Sequence, residues 1–446
     1  MKKLTIIDIF ALGFMTFALF VGAGNIILPP FIGLHAGHNV WISALGFLIT
    51  GVTLPVITIV AMARVGGLIG NLTSPIGKWG GIVLAVICYL SIGPLFANPR
   101  TAAVSFDVGI MPFLHAATEE GLRTLKSQML FVYSLIFFVV VIAISFYPQK
   151  LLDSVGRILA PLKILSLLVL CFAAFYFPVG ALMAPSPDFV NVGSAFSQGF
   201  VEGYLTLDTL ASLAFALVIV NAIRLRGVTD TKLVTRYAIT AGLISGVGLS
   251  IIYIGLFKLG SNSYLISNGV ENGAGLLQAY VNHTFGIYGS VFLAVLIGIA
   301  CLVTAIGITS ACGSYFSNLL SVPYKLVVLV IAGASFLVSN IGLTHLLAIT
   351  GPILMAIYPP CIALVLMSFF KKCWPQPSYV FVPVMLSALF FGIFDGLRAA
   401  DLPIPDLISS LPLSADNLGW LIPSVVILIV ASVINVFLPR TATEQA

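Results

Sequence analysis

Charged residues make up only 8% of this 446-residue chain, and only 15 of its residues are acidic. So little charge excludes a disordered, solvated chain and leaves too few polar groups to coat a water-soluble body of this length. The six cysteines, Cys88, Cys171, Cys301, Cys312, Cys361 and Cys373, show no C-x-x-C spacing, and the five histidines, His115 among them, are scattered. Neither a metal cluster nor a disulfide framework follows. Enzyme signatures are missing as well: there is no H-E-x-x-H and no G-x-S-x-G. Gly77-Lys78 lacks both the glycine five positions earlier and the following Ser or Thr of a phosphate-binding loop. A T-V-G-Y-G filter and a ring-forming acidic repeat are also absent, which disfavours a passive channel. Basic residues outnumber acidic ones, 20 to 15, without a dense basic tract, so no nucleic-acid partner is implied.

What the chain has instead is apolar length. Sixty per cent of its residues are hydrophobic and mean hydropathy is +1.14. This composition belongs in a bilayer. A spanning helix takes roughly 20 apolar residues, and twelve such segments are centred near residues 20, 52, 92, 138, 167, 207, 245, 302, 331, 356, 386 and 428. Without a sustained period of two, the segments predict helices rather than barrel strands. The expectation is an all-α integral membrane protein of one domain, 1–446. Its longer loops are 109–128, 258–285 and 395–416, all on the outer side.

Orientation follows from the basic residues. With the N-terminus inside, fourteen of them, including Lys2, Lys3, Arg64, Lys78, Lys150, Arg157 and Arg440, fall on the inner side, against Arg123, Lys126, Lys258 and Arg398 outside. Both termini are therefore expected in the cytoplasm. Met1-Lys2-Lys3 and the apolar stretch after it resemble a signal peptide, but the stretch is too long and is read as the first span. Trp41, Trp79, Trp374 and Trp420 lie near span ends, where amphipathic rings anchor at the interface.

Two spans are interrupted. The first breaks at Val21-Gly22-Ala23-Gly24-Asn25, and the sixth at Glu202-Gly203-Tyr204-Leu205-Thr206-Leu207-Asp208. In lipid, unwound backbone and carboxylates persist only where protein or a water-filled cavity receives them. A matched pair of such breaks marks a solute site in a transporter. At the first, the half-helix starting near Asn25 aims N–H groups and its positive dipole end into the gap, which suits a carboxylate. The half-helix ending near Val21 presents carbonyl oxygens suited to a cation. Close packing of small residues is the competing reading of these glycines.

Other polar residues sit in apolar surroundings. Lys163, in the fifth span, either snorkels inward or is a buried proton carrier or a stand-in for a bound cation. Arg100, in the third, either pairs with Asp208, Asp107 or Asp395 as an outer gate or is interfacial. In the eighth, Thr309 and Ser310 with first-break carbonyls would make an all-oxygen cation site. Phe96, Tyr204, Leu205 and Ile306 are available for an apolar pocket.

The motifs FVGAGNIILPP, GPLFANPRTAAVSF, LAPLK (from Leu159) and EGYLTLDTLASLAF together resemble the bacterial branched-chain amino acid:cation symporters, the BrnQ-type carriers, over essentially the whole chain. The resemblance implies a LeuT-type fold. Its five-plus-five inverted repeat, 1–180 and 190–370, has broken helices 1 and 6, and two accessory helices follow in 378–440. It implies a symporter in the bacterial inner membrane that imports leucine, isoleucine and valine by alternating access, without a cofactor, driven by sodium or, through Lys163, by protons. Substrate contacts are expected from Gly22, Ala23, Gly24, Asn25, Phe96, Glu202, Gly203, Tyr204, Leu205, Thr206 and Ile306. Sodium would lie among Ala18, Val21, Thr309 and Ser310, while Arg100, Lys163 and Asp208 would serve gating or proton coupling. The asparagine that serves a second sodium elsewhere in the fold is replaced by Leu19. Partners are the amino acid and the bilayer; the sequence carries no signal for an oligomeric state.

Overall fold

The computed structural model describes residues 3–114, 118–147 and 160–439. Of the residues named above, Met1, Lys2, His115, Lys150, Arg157, Leu159 and Arg440 lie outside the described residues. The described chain is helical, in the order α1 (Ile6–Phe20), α2 (Ala23–Ala36), α3 (Val40–Leu48), α4 (Leu54–Arg64), α5 (Ile69–Leu72), α6 (Gly77–Leu90), α7 (Ala97–Gly109), α8 (Glu119–Ser145) and α9 (Ala160–Tyr176). There follow α10 (Val192–Glu202), α11 (Asp208–Leu225), α12 (Thr231–Ser261), α13 (Gly273–Leu320), α14 (Tyr324–Ser339), α15 (Leu343–Ser368), α16 (Ser378–Ala399), α17 (Asp406–Ser409) and α18 (Leu421–Val436). Among the described residues, eight helical stretches are long and apolar enough to cross a bilayer, and four apolar helices are shorter.

Helix starts follow local chemistry. Thr5 caps α1 in a reciprocal box with Asp8, its hydroxyl accepting from the Asp8 N–H at 3.2 Å while the carboxylate accepts from the Thr5 N–H at 3.1 Å. Asp230 accepts from the Leu233 N–H at 2.8 Å, and Asn272 accepts from the Ala274 and Gly275 N–H groups at the start of α13.

Packing divides the helices into two groups. In one, α1 and α2 lie against α12, α3 lies against α10, and α4 against α11. In the other, α13 packs along α7, and α14 along α8 and α13, with α9 and α15 flanking the first group. Close approach is achieved by small residues. A Cβ on Gly260 would collide with the Pro30 carbonyl, and one on Gly273 with that of Ile27, so α2, the second half of the first span, is clasped between α12 and the start of α13.

Two expectations change here. The outer segment 258–285 is not a loop: α12 runs to Ser261, and α13 begins at Gly273, turning at Gly286, whose φ of 65° is open to glycine. Trp374 and Trp420 are not lipid-facing anchors. Both are buried, the Trp374 indole donating to the Ser432 hydroxyl at 3.0 Å and the Trp420 backbone N–H to Asp395, while Trp41 and Trp79 remain exposed.

Candidate functional site

Both expected breaks are present. Between α1 and α2, Val21 (φ −65°, ψ 84°) and Gly22 (φ −96°, ψ −166°) leave helical geometry. The Gly22 N–H turns to the Phe20 carbonyl at 2.6 Å and the Asn25 side-chain oxygen at 2.9 Å. The Ala18 carbonyl thereby loses the N–H four residues on that a continuous helix would supply. In the sixth span, α10 ends at Glu202, a tight turn of 3-10 helix covers Gly203–Thr206, and Leu207 adopts the left-handed conformation (φ 64°) before α11 starts at Asp208. A left-handed non-glycine residue costs about 1–2 kcal/mol, which the packing around the break must offset.

The two breaks are tied together. Asn25 donates its amide to the Asp208 carboxylate at 2.5 Å and to the Tyr253 hydroxyl, and Tyr253 in turn donates to Asp208 at 3.1 Å. Asn25 and Asp208 are each only 2% exposed. Because an amide both accepts and donates, Asn25 can take the Gly22 N–H on one side and serve Asp208 on the other. Tyr253 escaped the sequence reading; the one signal was a phenol deep within the apolar run of α12, sixteen positions after Tyr237.

Arg100 lies on the same junction. The third span is itself interrupted, by a wide turn over Ser91–Leu95 in which Gly93 (ψ −111°) leaves helical geometry, and α7 restarts at Ala97 just after Phe96. From α7, the Arg100 guanidinium donates to the carbonyls of Leu205 at 2.5 Å and Thr206 at 3.4 Å. A Cβ built on Gly24 would lie 2.6 Å from its Nη2, so Gly24 leaves the room the guanidinium occupies. The expected pairing of Arg100 with a carboxylate is not formed. Asp208 is engaged by Asn25 and Tyr253, Asp107 lies 4.0 Å from Lys126, and Asp395 accepts the backbone N–H groups of Gly419 and Trp420. Nor is Arg100 interfacial, being 4% exposed.

Two residues earlier, Asn98 donates to Thr309 at 3.0 Å and Ser335 at 2.9 Å, joining α7 to α13 and α14. Thr309 is thus held from the third span. The hydroxyl-bearing residue of α13 that abuts the first break is Thr304, whose methyl would lie 3.2 Å from a Cβ on Gly22. Five residues on, Thr309 is rotated by about 140° and displaced by about 7.5 Å along the helix. Ser310 lines the cavity described below.

Lys163 does not snorkel. It is 5% exposed, and its ammonium donates to the Val21 carbonyl at the first break. Tyr204 stacks on Tyr358 of α15 with ring centroids 4.5 Å apart, so the Tyr-Pro-Pro segment supports the second break from within a continuous helix. Glu202 and Leu205 are half-buried, whereas Ala23, Phe96, Gly203 and Thr206 are buried.

A cavity of about 590 Å³ lies just inside these breaks, bounded by Leu19, Phe215 and Ile306 at its deep end and by the exposed Leu68, Asn71 and Asn318 at its mouth. The mouth is on the side of Arg64 and Lys78. A mostly apolar cavity open at one end can hold a small amphipathic solute and pass it to that side.

The model of the branched-chain amino acid transport protein family matches residues 5–438. The branched-chain amino acid transport system 3 carrier protein of Pseudomonas aeruginosa is 54% identical over 441 residues, covering 98% of each chain. The branched-chain amino acid permease BrnQ of Escherichia coli is 51% identical with the same coverage, and the permease BraB of Bacillus subtilis 38% identical over 98% of this chain and 97% of its own. Among solved structures, MhsT in complex with L-phenylalanine superposes with a TM-score of 0.56 at 16% identity, covering 96% of this chain and 98% of that one. The nucleobase-cation-symport-1 family transporter Mhp1, closed on bromovinylhydantoin, gives 0.59 at 12% identity, covering 95% and 91%. These two share the fold. The chain therefore belongs to the branched-chain amino acid transport protein family, a family of membrane carriers and not of enzymes.

Proposed function

We propose that this chain is a secondary active symporter that imports leucine, isoleucine and valine across the bacterial inner membrane by alternating access, with both termini cytoplasmic. The eight long and four short apolar helices are read as supplying twelve spans once the half-helices are joined. A five-plus-five repeat is supported by the contacts themselves. Exchanging each of the first five spans with the span five later turns the pairing of α3 with α10 and α4 with α11 into that of α12 with α2 and α1. The same exchange turns α9 against α1 into α15 against the Gly203–Thr206 turn. The last two spans then stand outside the repeat.

The substrate's charged ends are assigned to the two breaks and its aliphatic side chain to Phe96, Tyr204, Leu205 and Ile306. One methylene is worth about 1–3 kcal/mol, so the three amino acids compete for such a pocket. Coupling is the differential affinity of inward- and outward-facing states for the cation. The observation that carries the choice of cation is the Lys163 ammonium on the Val21 carbonyl, which favours protons: an ammonium there does the work of a bound ion, and its deprotonation releases the first break. Sodium is the second reading, favoured by the freed Ala18 carbonyl, and requires Lys163 to withdraw.

Radiolabelled leucine uptake in proteoliposomes, with proton and sodium gradients imposed separately, tests both. Uptake against a gradient under protons alone supports the Lys163 reading. Uptake under sodium alone replaces it with the second, and uptake that never exceeds equilibrium under either rules out symport.

A further inference from the structure

Two buried cations face these breaks, and the mechanism above uses only one. Arg100 is 4% exposed, and among the described residues no carboxylate lies within ion-pair distance of it: the one ion pair is Lys126 with Asp107. Its bonds go to two neutral carbonyls, those of Leu205 and Thr206, and its Nε–H has no partner. A guanidinium carries five N–H donors in a fork that matches a carboxylate. A charge buried in this way, without an opposite charge, is costly until a counter-ion arrives.

The guanidinium also lies beside a second feature that attracts an anion. The guanidinium packs on Gly24, the second residue of α2, where the first-turn N–H groups have no intrahelical acceptor and the positive end of the helix dipole lies. No side chain intervenes at Gly24. The nearby Asp208 does not compete, because Asn25 and Tyr253 already occupy it.

We propose that Arg100 is a substrate-binding residue, its guanidinium holding the α-carboxylate of the amino acid against Gly24 and the start of α2. The assignment rests on the substrate reading above and deepens it. Selectivity for amino acids over their carboxylate-free analogues then comes from the third span as well as from the unwound first.

The test uses the purified full-length chain in detergent, with leucine and leucinol, which carries a hydroxymethyl group in place of the carboxylate, as calorimetric ligands. The wild-type chain should prefer leucine by at least about tenfold. In Arg100→Gln, leucine should weaken by about 10- to 100-fold while leucinol stays within about threefold, collapsing the ratio towards one. In Arg100→Lys, which keeps the charge but not the fork, the ratio should fall several-fold. An unchanged ratio in either variant, or equal loss of both ligands, overturns the proposal and leaves Arg100 a strut between helices. If Arg100→Gln does not give a monodisperse protein, Arg100→Lys decides alone by the same ratio. Failure of the wild-type chain to bind leucine, isoleucine or valine is a distinct result that overturns the substrate reading and this assignment with it.

Discussion

The contact between Asn25 and Asp208 makes a charge-exchange experiment decisive. In the native arrangement the Asn25 amide nitrogen donates to a carboxylate oxygen 2.5 Å away, deep in the protein. Asn25→Asp keeps the size and the acceptor for the Gly22 N–H but sets two carboxylates against each other. At a separation of roughly 3 Å and an effective dielectric near 20, their repulsion is about 5 kcal/mol. Protonation of one would relieve it only in part, because the single O–H of an acid replaces two amide N–H donors and the Tyr253 oxygen loses its own donor. The variant should melt roughly 5–10 °C below wild type in a detergent thermal-shift assay and lose leucine uptake in proteoliposomes. The exchange is reversible by design. In Asn25→Asp with Asp208→Asn, the same two bonds form with donor and acceptor swapped, and Tyr253 donates to the other partner. Most of the melting temperature should return, a non-additivity of several kcal/mol. The reasoning fails if Asn25→Asp melts with wild type, or if the double variant melts no higher than the single one.

Further substitutions probe the rest of the site. Gly24→Leu should abolish leucine uptake at normal expression, since even its first carbon would fall 2.6 Å from Arg100; ordinary transport would remove Gly24 from the site. Lys163→Gln should lose proton-driven accumulation yet still exchange leucine across the membrane, and retained accumulation would take Lys163 out of coupling. Tyr358→Ala should lower stability by about 3–5 kcal/mol, from the lost stack on Tyr204 and the cavity left behind, seen as a lower melting temperature.

Much of this was legible in the residue order, for identifiable reasons. Glycine and aspartate stand out against continuous aliphatic sequence, so the breaks at Gly22 and Asp208 show locally. Nine of the twelve expected span centres fall within the helices described, because length and apolarity are also local properties, and those near 52, 92 and 207 fall on interruptions of the second, third and sixth spans. Partners were hidden. Asn25 meets Asp208 across 183 positions and Tyr253 across 228, and no periodicity encodes such a meeting. Thr304 and Thr309 differ only in helical phase relative to a neighbour that one sequence does not reveal. The wide turn at Ser91–Leu95 was obscured because Gly93-Pro94 is an ordinary kink signal, although its effect is to aim Arg100 at the junction. Trp374 and Trp420 misled because a span end that is covered by the last two helices reads the same as one that meets lipid.

That turn has a mechanical consequence. Asn98 and Arg100 lie two positions apart on α7, about 200° around the helix, so they reach in nearly opposite directions. One grips α13 and α14; the other grips the strained turn before α11 and leans on α2. The segment Ala97–Gly109 is therefore a tie rod between two helix groups, fastened by side-chain hydroxyls at Asn98 and by carbonyl contacts alone at Arg100.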